Sequence, residues 1–357
     1  MRRWLLLGLL LLPVQDLWAD VFEEPTSNAP ALPPEDKDKT KDTGSSWVPV
    51  VGYNPTYKVF LGGGYFYHNP TWDFGIHGVI TFESVYQIMT HSEHILGPRW
   101  KYRTELEYSK GFEPYYGEGG DTKISDRIRI FGDKTLVKPL LTFAADPFWD
   151  LGFFLDLRFR GEDHVLDGPN FRRFPNESTM GIGILSSLDK RDDANNPTSG
   201  FILDAKLTVI PGSLTTVQNT PTFAQLEGDI AFYQETVMSI VAAVKLYVGT
   251  SIGTPTYLFK YRLGGTDNLR GYQDNRFRGK EYYLQQTELR MPFFKWLDVV
   301  PFLGFGDATD SQFTQAKMAY GAGLRIGLPP DYINRIRIDY GVGRDESGIF
   351  VDFGQTF

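Results

Sequence analysis

A chain of 357 residues that is 41% hydrophobic and 15% aromatic is too apolar for a disordered protein. Past position 19 it has no run of about 20 apolar residues, which excludes a helical transporter. A net charge of -8 has the wrong sign for neutralising phosphates, so nucleic acid is not expected as a partner, and the absence of cysteine removes disulfides, thiolate metal sites and cysteine nucleophiles.

At the N-terminus, Arg2 and Arg3 precede the apolar run 5–12, Pro13 and the small Ala19. That pattern predicts an export signal over 1–19; the run is too short for an anchor helix. Residues 20–50 mix acids, lysines, prolines and small polar residues. They cannot bury enough apolar surface to offset the entropy of ordering, so a disordered periplasmic linker is expected over 20–50 and a folded domain over 51–357.

From 57 onward the texture becomes segments of strict alternation, the periodicity of strands with two different faces. Phe201, Leu203, Ala205, Leu207 and Val209 alternate with Asp204, Lys206 and Thr208; Ile336, Ile338, Tyr340 and Val342 alternate with Arg335, Arg337 and Asp339. The alternation predicts strands at 57–68, 71–86, 98–110, 124–145, 149–162, 177–190, 198–211, 222–235, 237–250, 281–292, 297–306, 317–328, 333–344 and 348–357, fourteen in all. Short connections such as 146–148 alternate with long ones such as 111–123. Opposite charges follow one another on the polar face, and aromatics such as Tyr65, Tyr67, Phe148, Trp149, Phe293 and Trp296 gather at strand ends. A soluble sandwich also alternates, but these features fit a lipid-embedded barrel with a polar lumen and interfacial girdles. Backbone groups in lipid must all be paired, so such a sheet closes on itself.

Two short strings match motifs that carry chemistry on other folds. His91-Ser92-Glu93-His94 offers metal-ligand types, but zinc motifs of this kind sit on a helix, whereas here a solvated turn between strands is expected. Gly249-Thr250-Ser251-Ile252-Gly253 matches the G-x-S-x-G of serine hydrolases, yet no helix follows to form the required elbow. Neither a metal site nor an enzyme is expected.

Three blocks carry a resemblance. Residues 188–201, LDKRDDANNPTSGF, contain Asp189, Arg191, Pro197 and Gly200. Residues 263–277, LGGTDNLRGYQDNRF, contain Gly264, Gly265, Arg270, Gly271 and Tyr272, and a strand with Glu288, Leu289, Arg290 and Pro292 follows. The chain ends on Ile349, Val351, Phe353, Gln355 and Phe357, alternate positions closed by an aromatic. Together they resemble the barrel of the BamA/TamA family of outer-membrane assembly factors, the bacterial surface antigens, over 57–357. The linker 20–50 is too short for a folded periplasmic domain, so the likeness is to the branch lacking POTRA domains.

The resemblance implies an all-β transmembrane antiparallel barrel of 14 to 16 strands in the bacterial outer membrane, with a sixth extracellular loop folded into the lumen. It makes 188–201 a periplasmic turn, and the last strand, with Phe353 and Phe357, a sorting signal read by the assembly machinery. In the lumen Arg270 would bring its rigid fork of donors to a carboxylate, and Glu288, on the inward face of the next strand, is the first candidate for this loop-locking ion pair. The family's Asp two residues beyond the Phe of the following strand is Gly304 here, after Phe302. Asp307, of the opposite parity, is the candidate substitute. Gly62, Gly63 and Gly64, in the first expected strand, are expected to loosen its seam with the last. The implied role is outer-membrane biogenesis, the insertion of protein or the movement of lipid through that seam. Its partners would be membrane lipid, the assembly machinery, and nascent barrels or a separate periplasmic protein, with no cofactor. The rival expectation is a passive pore or structural barrel.

Overall fold

The computed structural model describes residues 43–357 except 83, 84, 162, 163, 166–175, 195, 312, 314, 315, 329–331, 333 and 334. The expected signal and residues 20–42 of the expected linker lie outside the described residues. The strands are β1 (Gly44–Asn54), β2 (Lys58–Asn69), β3 (Trp72–Thr81), β4 (Tyr86–Ile95), β5 (Trp100–Tyr115), β6 (Ile128–Asp146), β7 (Trp149–Arg160) and β8 (Glu177–Asp189). The second half supplies β9 (Gly200–Ile210), β10 (Phe223–Glu235), β11 (Val241–Ile252), β12 (Glu281–Phe294), β13 (Leu297–Thr309), β14 (Lys317–Gly327), β15 (Arg335–Val342) and β16 (Ser347–Phe353). Each pairs antiparallel with its chain neighbour, and β1 meets β16, so sixteen strands close a barrel.

The two faces of each strand explain why the barrel sits in a membrane. Phe153, Ile184, Leu203, Phe232, Leu246 and Tyr320 point outward and are exposed, whereas Asp156, Asp204, Lys206, Glu288, Arg325 and Asp339 are buried inside. An apolar exterior around a charged interior is stable only when hydrocarbon, not water, surrounds it. Outward aromatics gather at the rim of the short turns. Trp47 packs on Tyr65 with centroids 4.9 Å apart, Trp100 on Phe143 at 5.0 Å, and Phe294 stacks on Trp296 at 5.5 Å. Short turns such as 70–71, 147–148 and 295–296 occupy this rim, and the long connections 116–127 and 253–280 occupy the other.

Two strands, β1 and β4, were not among the fourteen expected. Residues 44–50, expected in the linker, are strand: β1 runs in register with β2 from Gly44 opposite His68 to Asn54 opposite Lys58. This corrects the domain boundary at 51. It also moves Gly62, Gly63 and Gly64 to the second strand, away from the seam. A Cβ at Gly64 would lie 2.9 Å from the Cβ of His77, so this glycine makes room for a neighbouring inward side chain. The string 91–94 lies in β4 and not in a turn.

Candidate functional site

Loop 253–280 enters the barrel. Its hairpin, Tyr261–Leu263 against Phe277–Gly279, and the residues between them pack Leu263, Leu269, Tyr272 and Phe277 against Tyr247, Tyr282 and Leu284 of the wall. At its tip the backbone touches β15. A Cβ at Gly341 would stand 2.7 Å from the carbonyl carbon of Arg270, and Gly271 takes φ 116°, a left-handed conformation that only glycine adopts without strain. Tyr272 donates its hydroxyl to Met318 O at 3.2 Å and accepts from the Arg344 N–H at 3.0 Å. Gly264 and Gly265 also have positive φ, at the base of the same bend.

These contacts place the Arg270 guanidinium, 2% exposed, between two carboxylates. Its Nη2 lies 2.7 Å from Glu288 Oε1 and its Nη1 2.6 Å from Asp339 Oδ2, with the Phe302 ring 3.8 Å beneath it. Asp339, on β15, takes the second place for which Asp307 was the candidate. Asp307 is instead 3.3 Å from Lys317 Nζ, and Leu269 of the loop fills the space above Gly304. Arg325 reaches both acids, Asp339 Oδ1 at 2.5 Å and Glu288 Oε1 at 3.3 Å. Arg337 pairs with Asp267 of the loop and, at 3.0 Å, with Asp352. Four guanidiniums, counting Arg290, thus face four carboxylates, the pairing that buried charges require.

Glu288, fully buried, also accepts the Thr356 hydroxyl at 2.8 Å and Arg290 Nε at 3.3 Å. Arg290 in turn donates to Phe357 O and, at 3.3 Å, to Pro197 O. Gln355 donates to Asn196 Oδ1 at 2.8 Å. Within the turn 190–199 Arg191 grips Asp189 (Nη2 to Oδ2, 2.8 Å) and donates to Ala194 O, while Gly200, φ 98°, starts β9. The loop motif, the turn motif and the chain end therefore meet on one pair of side chains, Glu288 and Arg290.

The chain end reaches that point by leaving the barrel wall. β16 stops at Phe353, and Gly354, φ 77°, turns the last residues inward. Phe357, expected to close a strand reaching 357, instead packs inside, its ring 6.3 Å from Tyr233. Phe353 stays on the wall and packs beside Val48, Val50 and Phe60. Among the described residues the seam is consequently registered at a single position, Tyr53 opposite Val351. Most of the seam edge of β1 has no registered strand partner there.

The Omp85 superfamily domain model matches residues 94–357. The chain belongs to the Omp85 superfamily. As a member with this barrel, it resides in the bacterial outer membrane. Among solved structures, BamA from Haemophilus ducreyi lacking POTRA domains 1–3 superposes with a TM-score of 0.62 at 12% identity, covering 87% of this chain and 70% of that one. CdiB from Escherichia coli gives 0.60 at 14% identity, covering 87% and 62%, and CdiB from Acinetobacter baumannii 0.59 at 10%, covering 87% and 59%. At such identities the likeness is one of fold, and this chain spans less than two thirds of either CdiB. No curated protein matches the sequence.

Of the Omp85 barrel's central charges, the sequence reading reached Arg270 and Glu288 and missed Asp339, Arg325 and Arg337 as their partners. The signal was present in the charged faces of 317–328 and 333–344, but pairing across the barrel depends on register. Ser251 lies on β11, buried, and accepts a hydrogen bond from Gln225 Nε2 at 3.1 Å. In β4 alternate residues take opposite faces, so His91 and Glu93 point inward while Ser92 and His94 point outward.

Proposed function

We propose that this Omp85 barrel works in outer-membrane biogenesis by admitting a substrate, a nascent barrel strand or a lipid, at the seam between β1 and β16. The observation that carries this reading is the seam itself, registered only at Tyr53 and Val351 among the described residues while 354–357 are held in the lumen. An unpaired strand edge is a template for another strand, and in lipid the missing backbone partners make it a weak line in the wall. The incoming protein or a separate periplasmic protein would be the partner, and the assembly machinery would meet the last strand before closure.

The test is a depletion strain complemented with Tyr53→Cys/Val351→Cys, which adds the protein's only cysteines. Opposed residues of an antiparallel pair have Cα atoms about 4.5–5.5 Å apart, within disulfide reach. Depletion is expected to lower the levels of other outer-membrane barrels or disturb surface lipid. The oxidised pair is expected to fail to complement and reduction to restore function. Unchanged barrels and lipid on depletion would refute the biogenesis role; full complementation by the oxidised pair would refute the seam route alone.

A further inference from the structure

Four of the five histidines lie on β2, β3 and β4, and three of them, His68, His77 and His91, share the lumen face with a buried ring nitrogen left unpaired, His68 being held through its other nitrogen by Asp73. His77 is 5% exposed, and neither of its ring nitrogens has a hydrogen-bond partner; Nδ1 of His91 is likewise buried without one. Burying polar atoms unpaired costs free energy, so His77 with both ring nitrogens unpaired, beside the unpaired Nδ1 of His91, points to a ligand.

The register brings a third donor. Met89 stands directly opposite His77, while His91 stands opposite Gly75, two residues along each strand and on the same inward face. Opposed Cβ atoms lie about 4.5–5.5 Å apart and diagonal ones about 7–8 Å, so both imidazoles and the thioether can reach one point. Glycines shape the recess. A Cβ at Gly75 would run into His91 Cε1, so the His91 ring leans over that glycine towards β3, and Gly64 leaves space on the other side of His77. Phe66 stacks on His91, 6.3 Å between centroids and 29° between planes. Of the nearby charges, Arg103 holds Glu93 at 2.7 Å and lies 4.0 Å from Glu105, which stands directly opposite His91 on β5.

Among the described residues no three His, Cys, Asp or Glu side chains converge to hold an ion, which disfavours zinc, an ion that takes four ligands. Two imidazoles and a thioether instead suit a soft cation. We propose that His77, Met89 and His91 form a copper(I)-binding site on the inner wall of the barrel.

The test uses the purified full-length barrel in detergent, titrated anaerobically with copper(I) against a chromogenic chelator, with silver(I) as a redox-inert second probe. A single equivalent is expected to bind. His77→Ala and His91→Ala are each expected to weaken it at least about tenfold, since even outer-shell changes at metal sites cost that much. Met89→Leu keeps the volume and is expected to weaken copper(I) but not zinc(II), and His94→Ala, outward on the same strand, to change nothing. Heat-modifiable migration checks that each variant is folded. The proposal falls if the unaltered barrel leaves copper(I) with the chelator, if a folded His77→Ala/His91→Ala variant binds as well, or if Met89→Leu leaves copper(I) affinity intact.

Discussion

Arg270 sits where a charge is tolerable only because two acids meet it, so what a substitution leaves behind decides its effect. Arg270→Ala leaves Glu288 and Asp339 short of one guanidinium in a place closed to water, and loss of one partner of a buried pair costs about 3–5 kcal/mol. Arg270→Lys keeps the charge but not the fork that sends Nη1 to Asp339 and Nη2 to Glu288. Its expected loss in denaturant unfolding, followed by heat-modifiable migration, lies between those of Ala and wild type. A lysine variant as stable as wild type would mean that only the charge matters. The Arg270–Glu288 half of this arrangement was legible because both residues fall in blocks that resemble a family. Asp339 was not, because it follows Arg270 by 69 positions and only the closed barrel brings them together.

At the level of strands, alternation revealed fourteen and lost the two whose faces do not contrast in sequence. β4 carries Thr90, Ser92 and His94 outward, so its two faces look alike in sequence. β1 opens Gly-Ser-Ser and contains Pro49, and reads as linker; a proline without a donor is tolerated on a strand at an edge, which is where β1 lies. β16 misled in the opposite sense, since its alternation continues to Phe357 while Gly354 turns the backbone away. Extending the register from Tyr53 opposite Val351 would set Trp47 opposite Phe357. The resting barrel is therefore expected to oxidise Tyr53→Cys/Val351→Cys readily and Trp47→Cys/Phe357→Cys poorly, measured as disulfide-dependent migration on a gel. Equal oxidation of both pairs would show a seam zipped along its whole length.

The barrel as a whole is a wall with its own loop as filling, and what the lumen can conduct depends on that filling. Loop 253–280 packs its apolar residues against β11 and β12 while its Arg270 and Asp267 complete the charge balance with Arg290, Arg325, Arg337, Glu288, Asp339 and Asp352. A passive pore would need this volume open. In planar bilayers the unaltered protein is accordingly expected to carry little current. Removing Arg270 takes one positive charge from the balanced set and frees the loop tip from the wall, so Arg270→Ala is expected to raise the current and give it a preference for cations, the sign left by the surplus carboxylate. The loop has other holds: Arg276 Nε lies 2.6 Å from Glu346, and Tyr272 is hydrogen-bonded at both Met318 and Arg344. If these alone keep it seated, Arg270→Ala will be as silent as wild type, and the ion pair at Glu288 then serves stability and not closure. A large, steady current from the unaltered barrel would instead favour the channel over the biogenesis role.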